Sequence, residues 1–184
     1  MMDNSASTAT RLNAFLDGQT FGCVLADPFG ARGKGDGANL SLEEICALPV
    51  ADHMDDRSHC YLWVPNSLLP EGMKVLKSWG FKYTSNIIWQ KSLSTGPETE
   101  TDSFVDMTEI LLFGIRGKNV RTLAPARSTV NFIQPGDEAT PEAAQKPEQQ
   151  YQIIERCSWG PFLELFAPDA RDGWTSWDGQ DPAR

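Results

Sequence analysis

The sequence predicts an α/β fold, a mainly parallel sheet covered by helices on both faces, and three observations carry that expectation. The runs FGCVLA at 21–26, CYLWV at 60–64 and FLELFA at 162–167 have strand length. They are apolar almost throughout instead of alternating, which marks strands buried on both faces. Amphipathic segments of helical period separate the runs, and abrupt turn signals close them. A length of 184 residues, 40% hydrophobic and 22% charged, suits one domain with its own core. Residues 1–184 are accordingly expected to form a single domain, with flexible ends at 1–6 and 181–184.

Residues 7–17 read as a short amphipathic helix, with Leu12, Phe15 and Leu16 on one side. Phe21–Ala26 is a strand stopped by Asp27-Pro28, since the residue before proline is driven into extended backbone. A loop with four glycines between 30 and 37 follows. Ser41 and Glu44 then form a capping box, opening a helix that ends near Pro49. After the strand 60–64, Asn66 is expected to cap a helix reaching Trp79 and closed by Gly80. Residues 81–90 and 109–115 are β-branched and aromatic and read as strands, with a polar loop at 92–107 between them. A polar stretch at 135–146 precedes a helix beginning near Pro147, where a missing N–H is tolerated. The strand 162–167 and an edge segment at 173–177 complete the order. In parallel sheets ligands gather beyond the carboxyl ends of the strands, which directs attention to Asp27-Pro28-Phe29, to Pro65-Asn66 and to the segment after Ala167.

Composition excludes several classes. No window approaches the roughly 18 apolar residues of a membrane span, and the first 16 residues lack the basic-then-apolar order of a signal peptide. Cys23, Cys46, Cys60 and Cys157 lie in apolar stretches without a C-x-x-C pair, as reduced core thiols of a cytoplasmic protein would. His53 and His59 beside Cys60 fit no zinc spacing, so no metal is expected. The glycine-rich loop lacks the lysine and hydroxyl of a P-loop and the third glycine of a dinucleotide fingerprint. No Ser-His-Asp or Cys-His arrangement is readable.

The net charge of −9 argues against a broad nucleic-acid-binding face. Charge is uneven, however, at +3 over 74–127 and −6 over 135–184. Arg116, Lys118, Arg121 and Arg127 make a basic strip that either meets phosphates or is an ordinary solvated loop. Asp27 by itself is either a turn former or an acidic site residue.

Seven stretches in order resemble the MT-A70 family of adenine-N6 methyltransferases, especially its short bacterial and phage members. They are VLADP at 24–28, SLEEICALPV at 41–50, YLWVPNSLLPEGMKVLKSWGF at 61–81, NIIWQK at 86–91, EILLFGIRGK at 109–118, KPEQQYQIIERCSWGPFLELFA at 146–167 and GWTSWDGQ at 173–180. The resemblance implies a Rossmann-like methyltransferase fold in permuted motif order, with the catalytic motif near the N-terminus and much of the S-adenosylmethionine site near the C-terminus. It implies that Asp27 and the Pro28 carbonyl accept the N6 hydrogens of adenine. That pairing favours a pyramidal, more nucleophilic nitrogen on a base taken out of its stack. Phe29 would touch that base, Lys146 would pair with the cofactor's methionine carboxylate, and Gln180 would contact its ribose.

The chain departs from the family at ligand positions. Where relatives have Asp-Pro-Pro-aromatic, it has Asp27-Pro28-Phe29-Gly30. Either Phe29 replaces the second proline and the aromatic is lost, or a deletion has displaced the aromatic to Phe29. Pro168 stands where an arginine is usual, and Asp178-Gly179 replaces Gly-Asn before Gln180. Two functions follow. One is S-adenosylmethionine-dependent adenine-N6 methylation of nucleic acid, DNA ahead of RNA. The other is a catalytically degenerate subunit that binds a partner or nucleic acid without methylating. The acidic charge favours a second, basic subunit or an attached reader domain under either, and the expected partners are nucleic acid and a second protein subunit or a homodimer.

Overall fold

The computed structural model describes residues 7–30, 40–91, 104, 106–124, 129–134, 146–167 and 169–179. The elements run α1 (Thr8–Phe15), β1 (Phe21–Ala26), α2 (Leu42–Cys46), β2 (Met54–Val64), α3 (Leu69–Ser78), β3 (Lys82–Gln90) and β4 (Thr108–Arg116). They continue with β5 (Phe132–Ile133), α4 (Gln149–Cys157), β6 (Phe162–Leu165) and β7 (Trp174–Trp177). Short 3-10 turns occupy Val50–His53 and Asn66–Leu68.

The seven strands form one sheet in the order β5-β3-β4-β2-β1-β6-β7. Pairings β1–β2, β1–β6, β6–β7 and β3–β5 are parallel, whereas β4 is antiparallel to both β2 and β3. Six strands therefore point one way and β4 alone points back. The predicted α/β class, with a mainly parallel sheet of Rossmann-like methyltransferase type, is the fold observed.

Alternation along the strands sorts the core into two layers. Val24, Ala26, Leu62, Val64, Leu112, Leu163 and Leu165 face α1, α2 and α3, where Leu12, Leu16, Ile45, Val75, Leu76 and Trp79 cover them. Cys23, Leu25, Tyr61, Trp63, Leu111 and Phe113 face the other way, against Tyr151 and Ile154 of α4. The helices are sited by local chemistry. Ser7 caps α1 by accepting from the Thr10 amide at 3.2 Å. Ser41 and Glu44 make the reciprocal capping box of α2, as the sequence predicts. Gly80, at φ +83°, ends α3 where a side chain would be strained.

Three expectations need correction. Asn66 does not cap a helix: α3 begins at Leu69 with proline in its first turn, and the Asn66 amide instead donates to Asp106 and Thr108 at 3.0–3.1 Å. The strand predicted at 60–64 starts at Met54, because Met54 pairs with Phe21 of β1, ahead of the β4 ladder that begins at Ser58. The two-residue strand β5 has no pattern of its own and exists only through its register with β3. The two histidines also lie inside the fold: His53 bonds Asn13 at 2.9 Å, and His59 bonds Ser158 at 2.7 Å. Cys23, Cys60 and Cys157 are buried and Cys46 partly so, all unpaired. Among the described residues no helix is long and apolar enough to cross a membrane.

Candidate active site

The carboxyl ends of the six co-directed strands share one edge of the sheet with the amino end of β4. From β1 the chain goes to β2 on one side, while β6 lies on the other. This makes the β1–β6 boundary a topological switch point, where α/β sheets open a crevice. Asp27 stands at that point, tied down by its amide, which donates to the Leu165 carbonyl at 3.3 Å.

Asp27 continues the alternation of Cys23 and Leu25, so its side chain belongs to the α4 face of the sheet. Lys146, just ahead of α4, brings its ammonium to 3.4 Å from Asp27 Oδ2 and hydrogen-bonds Glu109 Oε1. The same ammonium lies 5.0 Å from the centroid of the Trp63 ring, within cation–π range. Trp63 is itself fixed, because its indole N–H donates to Gln150 Oε1 at 2.7 Å and Trp89 packs edge-on against it. Glu109 is 9% exposed, and burial pushes its pKa above the ordinary carboxylate range against the pull of Lys146. Its position at the start of the reversed strand is what brings it to this edge.

A fourth charged group completes the cluster. Glu164 on β6 is 5% exposed; its Oε1 accepts from the Tyr151 hydroxyl at 2.8 Å, while its Oε2 is buried without a partner. Burial, reinforced by the charge of Asp27, raises its pKa as well. Arg171 lies over the Tyr151 ring, 3.5 Å from its centroid, and pairs with Glu148 at 2.6 Å, walling the β6–β7 side. Asp27 and Glu109 thus flank the Lys146 ammonium, while Glu164 lies by Tyr151 and under the influence of Arg171. Charges of both signs on this edge fit a ligand that carries cationic groups together with one carboxylate. S-adenosylmethionine has that pattern: a sulfonium, an ammonium and a carboxylate. Lys146 suits its carboxylate and the unpartnered oxygen of Glu164 suits its ammonium.

The structure brings Asp27, Pro28 and Lys146 together and treats the other predicted residues differently. Phe29 is 6% exposed and belongs to the α1–α3 layer of the core. Arg116, Lys118 and Arg121 follow the reversed strand to the opposite edge of the sheet. Seven residues separate Arg116 from Glu109, which is roughly 23 Å of strand. Arg116 there donates to the Ala51 carbonyl at 2.6 Å. Gln180, Pro168, Arg127 and the glycine-rich loop at 31–37 lie outside the described residues, as do the predicted flexible ends and most of the polar stretches 92–107 and 135–146. Gly179 has φ +90°, a region that glycine enters freely and asparagine more readily than most residues. Glu109, Glu164, Trp63 and Gln150 escaped the sequence reading. A single carboxylate inside an apolar strand, as in EILLFGI and FLELFA, is the signal that identifies the first two.

Fold and site together define an α/β protein of the Rossmann-like methyltransferase type with an Asp-Pro at the end of the strand beside its crevice. A sequence model of the MT-A70 family matches residues 21–180, and the chain belongs to that family. It is similar to an N(6)-adenosine-methyltransferase MT-A70-like protein of Arabidopsis thaliana, 28% identical over 180 residues and covering 88% of this chain but 24% of that protein. A probable N(6)-adenosine-methyltransferase MT-A70-like protein of Oryza sativa subsp. japonica is also 28% identical, covering 87% of this chain and 23% of its own. An N6-adenosine-methyltransferase non-catalytic subunit MTB of Arabidopsis thaliana is 31% identical over 119 residues, 58% of this chain and 15% of that protein. The chain spans about a quarter of the length of the first two.

Proposed function

We propose that this chain is an S-adenosylmethionine-dependent adenine-N6 methyltransferase acting on nucleic acid, DNA ahead of RNA, through one domain that spans it. The observation that carries the reading is the Asp27 carboxylate at the end of β1, beside the Lys146 ammonium in the switch-point crevice. When bound, the cofactor supplies the methyl group of its sulfonium. Lys146 holds the cofactor carboxylate, and Glu164 takes its ammonium through Oε2. Asp27 and the Pro28 carbonyl accept the two N6 hydrogens of a base removed from its stack, orienting the nitrogen lone pair towards the donor. Gln180 contacts the ribose.

A second reading, a non-catalytic subunit, is favoured by one observation: the aromatic Phe29 is buried and a glycine follows it. A relative bears the name of a non-catalytic subunit, which supports a paired arrangement in which a partner supplies the positive surface. The free cysteines support a reducing compartment such as the cytoplasm.

Calorimetric titration with S-adenosylmethionine and S-adenosylhomocysteine, followed by methyl-transfer assays on DNA and RNA, tests the first reading. Micromolar binding and transfer abolished by Asp27→Ala, with folding retained, are expected. Retained activity in Asp27→Ala would remove the role given to that residue. Absence of binding at millimolar cofactor would favour the second reading.

A further inference from the structure

Asp27 and Gly30 are coupled more tightly than their spacing requires. Asp27 Oδ1 accepts the Gly30 amide at 3.0 Å, while Oδ2 faces Lys146 at 3.4 Å. A Cβ placed on Gly30 would lie 2.2 Å from Oδ2, 2.6 Å from Cγ and 2.7 Å from Oδ1. All three carboxylate atoms therefore occupy the volume that any other residue's side chain would fill. Gly30 is not among the glycines with positive φ, so the backbone at 30 accepts an L residue. What excludes a side chain there is the carboxylate of Asp27, and nothing in the dihedrals.

We infer that Gly30 is a positioning residue for Asp27: lacking a side chain, it lets the carboxylate fold back onto its own amide, and any larger residue forces the carboxylate off that amide within the crevice. Both acceptor oxygens are engaged in the folded-back state, one by the Gly30 amide and one by Lys146. An incoming N6 group therefore shares an oxygen already bonded to the Gly30 amide or facing Lys146, which weakens the bond it gains. A side chain at 30 removes the competition from the residue-30 amide. The consequence for the base rests on the acceptor role proposed above for Asp27; the folding-back itself does not.

Amide hydrogen exchange by NMR separates the two. In the natural chain the Gly30 amide should be protected, and in Gly30→Ala the residue-30 amide should lose about ten-fold or more of its protection factor, the scale of a hydrogen bond to a charged acceptor. Asp27→Ala should expose the Gly30 amide equally and serves if Gly30→Ala does not fold. Unchanged protection in the variant that folds overturns the inference. Binding is then compared for an oligonucleotide containing adenine and one containing purine, which lacks the N6 group, at the same position. Preference for adenine should rise about ten-fold in Gly30→Ala. Lost protection with no change in preference upholds the positioning and overturns the acceptor role given to Asp27.

Discussion

At pH 7 the variant Glu164→Gln should be more stable than the natural chain and weaker in binding cofactor. Glu164 sits 5% exposed with one oxygen bonded to Tyr151 and the other buried and unpaired. Glutamine keeps a carbonyl oxygen for the Tyr151 hydroxyl and replaces a buried unpaired charge with a neutral amide. Leaving a buried polar group unsatisfied costs about 1–3 kcal/mol, and more when it is charged. The substitution should thus gain about 1–2 kcal/mol. For a chain of this size that is roughly 2–8 °C in Tm. The pH dependence fixes the cause. Burial raises the folded-state pKa of Glu164, so the folded chain holds this proton more tightly than the unfolded chain does. Its contribution is fully present below the unfolded value of 4.5 and is lost as pH rises through the folded pKa. The advantage of Glu164→Gln should therefore vanish below about pH 4 and grow above it. Urea unfolding at pH 4, 5.5 and 7 measures this, and S-adenosylmethionine titration measures the other side. Loss of one charge-assisted contact to the cofactor's ammonium should weaken binding by at least ten-fold. A stability difference independent of pH, or one favouring the natural chain at pH 7, would refute the argument from a buried unpaired carboxylate.

Gly72→Ala on α3 should destabilise by about 1–2 kcal/mol in chemical unfolding, although alanine is the better helix former. Its Cβ would fall 2.4 Å and 2.8 Å from the two methyls of Val64, whose stiff β-branched side chain cannot turn away. Ser41→Ala should cost about 1 kcal/mol by opening the capping box of α2, read as a lower urea midpoint with an unchanged slope. The double variant Lys118→Ala with Arg121→Ala should leave nucleic-acid affinity and its salt dependence unchanged, since both residues follow β4 to the far edge. Were they phosphate contacts, the slope of log K against log salt would fall by nearly two.

The strands and helices were legible because burial on both faces writes itself as unbroken apolar runs, and because caps and turns are local chemistry. FGCVLA reads as a strand and is one, and Ser41 with Glu44 reads as a capping box and is one. Asp27 was legible as a strand-end residue, and its resemblance to a motif supplied the candidate chemistry. What local pattern could not supply was direction. The reversal of β4 depends on which neighbours it pairs with, a matter of long-range packing. That single reversal carries Glu109 to the crevice edge and Arg116, Lys118 and Arg121 away from it. Asn66 looks like a helix cap, and only the nearness of β4 offers its amide better acceptors. Phe29 follows Asp27-Pro28 as an aromatic expected at the base, and its burial in the α1–α3 layer is a matter of packing that no local window shows. Composition and periodicity thus determined the class of fold and the elements, and the resemblance singled out Asp27 as the residue on which the proposed chemistry centres. The tertiary structure decided which charges meet at that residue, because a contact between distant strands depends on register and direction, and neither is a property of any local window of sequence.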